Sequence, residues 1–83
     1  MQVTVKYFAS IRESIGHGSE SRETVAETVG GLRDELLAAS PAHAQALARG
    51  RSIRAAVNQV MSAESALLSD GCEVAFFPPV TGG

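Results

Sequence analysis

Apolar and polar residues alternate at the start of this chain, with the two-residue period of a half-buried β-strand. Val3, Val5 and Tyr7 are the apolar members of this first run. A second run, Glu73 to Phe77, is rich in apolar residues and ends at Pro78, because proline cannot donate a ladder hydrogen bond. We therefore predict one strand at each end of the chain.

The middle of the chain changes to a helical period. Val29, Leu32 and Leu36 recur at spacings of three and four residues, which places them on one face of a helix of about ten residues. We predict that this face is buried and that residues 33–35 (Arg, Asp, Glu) lie on the opposite, solvated face.

Two N-caps compete for the start of this helix. Thr24 with Glu27 has the form of a capping box. Thr28 is an equally good cap and lies immediately before the periodic residues, so we favour Thr28. Gly30 and Gly31 then fall in the first turn, each costing roughly 1 kcal/mol relative to alanine, so the helix should depend on packing.

The remaining elements are predicted from turn and cap residues. The predictions are a polar loop over residues 16–19, a second strand over 20–25 that forms an N-terminal hairpin, a short helix from Ser40-Pro41 to about Arg49 that Gly50 ends, a strand over 53–59, a turn near Asn58, a short strand beginning at Val60 and Met61, and a turn at Asp70-Gly71.

This order of elements predicts an α+β fold, in which a sheet packs on one main helix. All four aromatic residues lie near the two ends of the chain, as Tyr7, Phe8, Phe76 and Phe77. We therefore expect the first and last strands to be neighbours. Because a right-handed crossover makes such a pair parallel, the sheet should be mixed. Eighty-three residues support one domain, which we assign to 1–79, followed by a flexible tail, 80–83.

Composition excludes several classes of function. The apolar fraction is 45% and the net charge is −2, which fits a globular chain and docking onto a basic partner surface without requiring one. Basic residues are scattered, and the nearest approach to a cluster, Arg49, Arg51 and Arg54, is expected to be a solvated surface. We predict no nucleic-acid binding.

The residues with metal-binding or thiol chemistry are few. Cys72 is the single cysteine, so no intrachain disulfide forms, and with His17 and His43 it does not make a zinc-ligand set. We expect both histidines to be solvent-exposed and Cys72 not to carry sulfur, because no nearby cation would stabilise its thiolate. The first residues lack a signal-peptide core, and no apolar run is long enough to cross a membrane, so we expect a cytoplasmic protein without a membrane partner.

The last eight residues, Phe76 to Gly83, form the most informative segment. Pro78 and Pro79 fix two φ angles and should direct the following residues away from the sheet. Val80, Thr81, Gly82 and Gly83 could then extend about 13 Å at ~3.3 Å per residue. Glycine has no side chain, so such a tail can enter a narrow channel with an unhindered terminal carboxylate.

These features resemble the small subunit of molybdopterin synthase, a ubiquitin-like β-grasp sulfur carrier. The matching segments are Val5–Ala9, Arg12-Glu13, Thr28-Val29, Leu32-Arg33, Ala55–Gln59, Asp70-Gly71 and, most specifically, Glu73–Gly83 (EVAFFPPVTGG). Cys72 departs from the family, which usually has an acidic residue there. The Gly30-Gly31 pair is also atypical. Neither departure touches the tail.

The resemblance implies a chemical role for Gly83, with Gly82 beside it. An E1-like activating partner would use ATP to adenylate the Gly83 carboxylate, and sulfur would convert it to a thiocarboxylate that donates sulfur to a cyclic pyranopterin. The chain would not be catalytic alone and would bind no cofactor itself, since the catalytic groups would belong to the large subunit of the synthase.

The resemblance also implies a docking surface for the large subunit. Its partner-binding positions match Phe8, Met61 and Phe77, and the segment Pro78, Pro79, Val80 and Thr81 would follow them into the partner. Strand alternation agrees, because it places Phe8 and Phe77 on the face opposite Val5 and Phe76. The alternative is that Phe8 and Phe77 only cover each other at a sheet edge. Arg12 either meets an acidic group on a partner or is an ordinary surface arginine.

Three other functions remain open at this point. A thiamine-pathway sulfur carrier shares the Gly-Gly end, although the FFPPVTGG ending argues against it. A protein modifier would be conjugated to lysines through Gly83. A plain interaction domain would have an inert tail.

Overall fold

The computed structural model describes residues 1–79; Val80 to Gly83 lie outside the described residues. The elements follow one another as β1 (Gln2–Tyr7), α1 (Ala9–Ile15), β2 (Ser19–Glu23), α2 (Val29–Leu37), α3 (Pro41–Ala46), β3 (Arg54–Val57), β4 (Val60–Ser62) and β5 (Glu73–Phe77). The division into a domain and a tail at residue 79 therefore stays a prediction.

The five strands form one mixed sheet in the order β2-β1-β5-β3-β4. The first and last strands are neighbours and run parallel, with Val5 opposite Val74 and Tyr7 opposite Phe76. All other pairs are antiparallel. The mixed sheet and the α+β class predicted from the sequence are confirmed.

The sequence predicts no helix between β1 and residue 16, which is wrong, because α1 lies there; the loop predicted over residues 16–19 is present at 16–18. Ile11 is buried against the core and gives this helix an apolar anchor, and Ile15, four residues later, packs against the same cluster. Gly16 ends the helix in a left-handed conformation (φ 97°) and donates its N–H to the Arg12 carbonyl. The hairpin of β1 and β2 exists, with this helix inserted in its connection.

Helix α2 begins where Thr28 predicts it. The Thr28 side chain accepts a hydrogen bond from the Gly31 N–H at 3.1 Å, and the buried face contains Val29, Leu32 and Leu36. The alternative cap is wrong: the Thr24 hydroxyl accepts from the Ala26 N–H and donates to Glu35, which lies on α2 itself.

The prediction that Arg33 lies on a solvated face is wrong, because Arg33 is buried, with 4% exposure. Its guanidinium donates to the carbonyls of Leu47 and Ala48 and to Glu64. This explains why α3 stops at Ala46 rather than continuing to Arg49: the carbonyls that follow turn toward Arg33. The cap predicted at Ser40, with Pro41 in the first turn, is confirmed.

Strand β3 is shorter than predicted because Asn58 and Gln59 form the turn into β4, both with positive φ (49° and 69°). The Asn58 side chain accepts a hydrogen bond from the Glu73 N–H, so this turn is tied to the start of β5. Gly71 has φ 83°, which confirms the turn predicted at Asp70-Gly71.

The core lies between the helices and one face of the sheet. Its largest fully buried side chains are Tyr7, Phe76, Leu32, Leu36, Leu47, Val3, Val5, Val29 and Val74. These residues come from β1, α2 and β5, with Leu47 directly after α3, so the core depends on the parallel pairing of the two chain ends.

Candidate functional site

The two faces of the sheet differ in chemistry at the end where β5 leads into Pro78. Val5, Tyr7 and Phe76 point into the core and are at most 1% exposed. Phe8 and Phe77 are offset by one residue and therefore lie on the outer face. The predicted division of the aromatic residues between the two faces is confirmed.

Phe8 and Phe77 contact each other on this outer face. Their ring centroids are 6.4 Å apart at an interplanar angle of 83°, the edge-to-face geometry that aromatic pairs prefer. Phe8 is nonetheless 47% exposed. Phe77 lies on β5 and Phe8 directly follows β1, and neither strand is at an edge of the sheet. The alternative, in which the pair only covers a sheet edge, is therefore wrong about the edge.

Met61 belongs to the same face, two strands away from β5. It lies opposite Ala56, which in turn lies opposite Ala75. Both alanines are nearly buried, at 7% and 6%, although neither belongs to the core cluster. They form the floor between Phe77 and Met61, which is itself 56% exposed. We call Phe8, Phe77, Met61, Ala56 and Ala75 the outer patch.

The last described residues, Pro78 and Pro79, follow Phe77 of this patch. Pro78 and Pro79 are half-buried, and two hollows meet at Pro79. The larger is an open groove of about 700 Å³ whose walls include Phe76, Met61 and Arg54. The smaller, about 250 Å³, includes Arg51. The predicted site residues Val80, Thr81, Gly82 and Gly83 lie outside the described residues.

Arg12 lies at the rim of the outer patch. It is exposed, lines a shallow hollow together with Phe8, and has no carboxylate within ion-pair distance among residues 1–79. Its predicted contact with an acidic group of a partner stays a prediction.

Sequence reasoning missed a partly buried polar cluster on the core side of the sheet. Glu20 Oε2 accepts hydrogen bonds from the Tyr7 hydroxyl at 2.8 Å and pairs with His43 Nε2 at 2.9 Å and His17 Nε2 at 3.3 Å. His43 is 8% exposed, so its predicted exposure is wrong, whereas His17 is exposed. Glu20 thus joins β1, β2, α3 and the loop before β2.

The hydrogen bonds and burial of this cluster shift the pKa values of Glu20 and Tyr7. Burial alone would raise the pKa of Glu20, but the hydrogen bonds from His43, Tyr7 and His17 outweigh it and hold the pKa below its usual range. Burial, followed by the bond to Glu20, raises the pKa of Tyr7. A carboxylate at Glu20 and a neutral phenol at Tyr7 are therefore the stable forms at neutral pH.

The row Ser40, His43, Glu20 has the residue types of a nucleophile, a base and an acid. Ser40 Oγ lies 2.7 Å from His43 Nδ1 but also accepts the His43 backbone N–H as the cap of α3. Neither hollow at Pro79 is lined by any of the three residues. Their arrangement is accounted for by capping and by the anchoring of α3 to β2.

Cys72 is 3% exposed and packs in the core cluster. A buried thiol has no access to a sulfur donor, which agrees with the expectation that Cys72 does not carry sulfur. Across residues 1–79 the structure has no group of three or more His, Cys, Asp or Glu side chains arranged to hold a metal ion. Among the helices in that range, none has both the length and the apolar character needed to cross a bilayer.

Comparison with known proteins places this geometry in a family. The model of the ThiS family matches residues 5–83. The molybdopterin synthase sulfur carrier subunit of Escherichia coli (strain K12) is 45% identical over 83 residues, which covers 98% of this chain and 99% of the relative.

Two solved structures give the same result for the fold. The crystal structure of SAMP1 from Haloferax volcanii superposes with a TM-score of 0.79 at 28% identity and full coverage of both chains. The crystal structure of the BexX/CysO complex of Amycolatopsis orientalis contains a chain that superposes with a TM-score of 0.69 at 26% identity, covering 98% of this chain and 99% of that one. The chain therefore belongs to the ThiS family, and its resemblance to the molybdopterin synthase small subunit, a ubiquitin-like β-grasp sulfur carrier, is confirmed.

Proposed function

We propose that this chain is the sulfur carrier subunit of a molybdopterin synthase and that the Gly83 carboxylate carries the sulfur. The observation that carries this proposal is the 45% identity to a subunit of that name over nearly the full length of both chains. The outer patch beside Pro78 and Pro79 supports it, because a carrier must dock its body while its tail enters a partner.

The chemistry requires activation by another protein. A carboxylate resists nucleophiles because its charge repels them. In the proposed sequence an E1-like partner lets a Gly83 oxygen attack the α-phosphorus of ATP, with release of pyrophosphate. A sulfur nucleophile then displaces AMP from the acyl-adenylate and leaves a thiocarboxylate. Its soft sulfur attacks the cyclic pyranopterin at neutral pH, and water then cleaves the bond between that sulfur and the Gly83 acyl carbon, which leaves the sulfur on the pterin and regenerates the carboxylate.

The side chains of residues 1–79 support a docking role for this chain and a catalytic role for its partner. Residues 1–79 contain no phosphate-cradling glycine loop, and their buried polar groups serve helix capping and strand anchoring. The proposed catalytic groups belong to the large subunit, and this chain binds neither ATP nor another cofactor. Phe8, Met61 and Phe77 form the docking surface, and the segment from Pro78 to Thr81 passes into the partner. ATP-dependent activation also fits the expected cytoplasmic location.

Intact-mass analysis of the chain purified from its native cells tests the proposal. A species in which one oxygen is replaced by sulfur, located at Gly83 by fragmentation, is expected. Deletion of Gly83 should abolish molybdoenzyme activity in those cells and leave the thermal unfolding midpoint unchanged, because the core residues that the structure describes lie between Val3 and Phe76. Normal molybdoenzyme activity in the deletion strain would contradict the proposal.

A protein modifier is the second candidate, favoured by the likeness to SAMP1, which is named a small archaeal modifier protein. It predicts an isopeptide remnant of the tail on lysines of other cellular proteins. The same mass-spectrometric sample therefore separates the two functions, and complementation of a thiamine auxotroph would identify the thiamine-pathway carrier.

A further inference from the structure

The positive charges of this chain divide into two groups. Four of its seven basic side chains have a carboxylate within 4.0 Å: Lys6 pairs with Glu73, Arg22 with Glu20, Arg33 with Glu64, and Arg49 with both Asp34 and Glu64. The other three, Arg12, Arg51 and Arg54, have no such partner among residues 1–79, and all three are exposed.

These three arginines lie beside Phe8, Phe77 and the two prolines at the end of the described chain. Arg54 is directly opposite Phe77 in the pairing of β3 with β5. Arg51 lines the smaller hollow with Pro78 and Pro79. Arg12 lies one helical turn after Phe8 and shares a hollow with it.

Few negative charges oppose them there. Glu13 follows Arg12 along α1 and is exposed. Glu64 lines the larger groove but is already paired with Arg33 and Arg49, and the hydrogen bond from Arg49 holds its pKa below the usual range. Glu73, on the outer face, is paired with Lys6 at 3.2 Å.

Of the other acidic residues, Glu20 is paired with Arg22 and Asp34 with Arg49, and two more lie at the far end of β1. Glu23 pairs with the N-terminal ammonium group, and Asp70 accepts a hydrogen bond from the Gln2 N–H. Both are therefore at the start of β1, whereas the tail follows the end of its parallel neighbour β5. A chain of net charge −2 thus presents a positive rim around its outer patch.

We infer that this surface docks onto an acidic surface of the large subunit, where carboxylates surround an apolar centre. The inference rests on the proposed function. It predicts an acidic partner surface, whereas the net charge of −2 alone suggested a basic one. Rim charges of this kind accelerate encounter and set orientation, while the apolar centre sets the lifetime of the complex. The effect should therefore be in the association rate.

The experiment measures binding of the full chain to the purified large subunit of the synthase from the same genome, by stopped flow, from ~0.05 to ~0.5 M NaCl. Over this range the Debye length shortens to less than half, so exposed charges become screened. The variant is Arg51→Gln with Arg54→Gln. The Arg51 carbonyl, which accepts from Arg33, is retained in this variant.

The control is Val25→Glu with Leu67→Glu, which changes the net charge by the same amount. Both positions are exposed, at 92% and 76%, and neither lines the two hollows at Pro79. Arg51→Lys with Arg54→Lys keeps the charge and should bind like the wild type.

At low salt the glutamine variant should associate on the order of tenfold more slowly than the wild type, with a dissociation rate within about twofold. Its association rate should also lose most of its dependence on salt. An unchanged association rate, or an equal slowing in the control, would overturn the acidic-partner inference and leave the proposed function standing. Failure of the wild type itself to bind the large subunit would overturn both.

Discussion

Glu20 connects three polar side chains from different parts of the fold. It is the shared partner of Tyr7, His17 and His43, which come from β1, the loop before β2 and α3. Its side chain keeps 21% of its exposure, so the cluster is partly shielded from water. Hydrogen bonds to a charged acceptor in such a setting are each stronger than neutral ones.

Replacement of Glu20 by glutamine should lower the free energy of unfolding by about 2 kcal/mol at pH 7, because the neutral amide weakens bonds that the carboxylate accepts. Urea unfolding measures this. The pKa of Glu20 is lowered in the folded state, so its contribution is present above the unfolded value of roughly 4.3 and is lost as pH falls through the lower folded value.

The difference between the wild type and Glu20→Gln should therefore shrink on acidification below about pH 4.3. Glu64, whose pKa is also lowered, is present in both proteins and cancels in the comparison. Glu23→Gln is the control, since Glu23 is 74% exposed and should change stability little. A difference that stays constant down to strongly acidic pH would contradict the assignment.

Arg33 is a second residue whose side chain connects distant parts of the chain, here through backbone carbonyls. One buried guanidinium satisfies the carbonyls that follow α3 and joins them to Glu64 in the loop before β5. Because arginine presents several donors in a fixed plane, it can end a helix and hold two loops together. Its helical position alone placed it among solvated neighbours and gave the wrong environment.

At the scale of elements, α2 depends on its cap and on packing. Its first turn contains Gly30 and Gly31, and its buried face meets the sheet through Val29 and Leu32. The glycines have a packing reason: a Cβ on Gly30 would lie 3.3 Å from the Glu64 carbonyl oxygen, and one on Gly31 would lie 3.3 Å from Ala26 Cβ. The close approach of the neighbouring segments offsets the poor helix propensity.

Thr28→Ala should lower the free energy of unfolding by about 1 kcal/mol, because the Gly31 N–H loses its partner in a turn with little intrinsic helix propensity. Thermal or urea unfolding measures it. Thr28→Ser keeps the hydroxyl and is the control. Equal loss in the serine and alanine variants would show that the methyl group, and not the cap, stabilises this end of α2.

At the scale of the whole molecule, the two adjacent phenylalanines of β5 have opposite roles. Phe76 is 1% exposed in the core, whereas Phe77 lies on the outer patch against Phe8. One residue of displacement along a strand reverses the face, so the same side chain serves folding at one position and, in the proposed function, docking at the next.

Phe77→Ala should weaken binding to the large subunit by about 2 kcal/mol, the loss typical of a central aromatic contact, and lower unfolding stability by less than about 1 kcal/mol. Calorimetric titration and urea unfolding measure the two effects. Phe76→Ala is the matched control and should lose about 3 to 5 kcal/mol of stability. Strong destabilisation by Phe77→Ala with unchanged binding would place Phe77 among the folding residues.

Much of the molecule could be predicted from local pattern. Period-two runs gave β1 and β5, the spacing of Val29, Leu32 and Leu36 gave α2, and the residues Thr28, Ser40 and Gly71 gave two caps and a turn. These features depend on neighbours within a few residues, which a sequence displays directly. The tail motif, Pro-Pro followed by Gly-Gly, likewise needs no tertiary information to be recognised.

Helix α1 was missed because its apolar pattern consists of only Ile11 and Ile15, and because its cap residue, Phe8, makes no side-chain cap hydrogen bond. The burial of His43 and Arg33 was missed for a different reason. Their partners Glu20, Leu47 and Glu64 lie 14 to 31 residues away, and no periodicity encodes such distances.

The sequence by itself determined the alternation of strands, the main helix and the family to which the chain belongs, because each rests on local spacing or on a contiguous motif. Only the tertiary structure decided which charges are neutralised and which remain exposed. Lys6, Arg33 and Arg49 pair with carboxylates that are distant in sequence, and Arg22 pairs with Glu20 on its own strand. The arginines around Pro78 and Pro79 have no such partner among the described residues. The Coulomb energy of a pair falls with distance, so the surface charge depends on the folded arrangement rather than on composition.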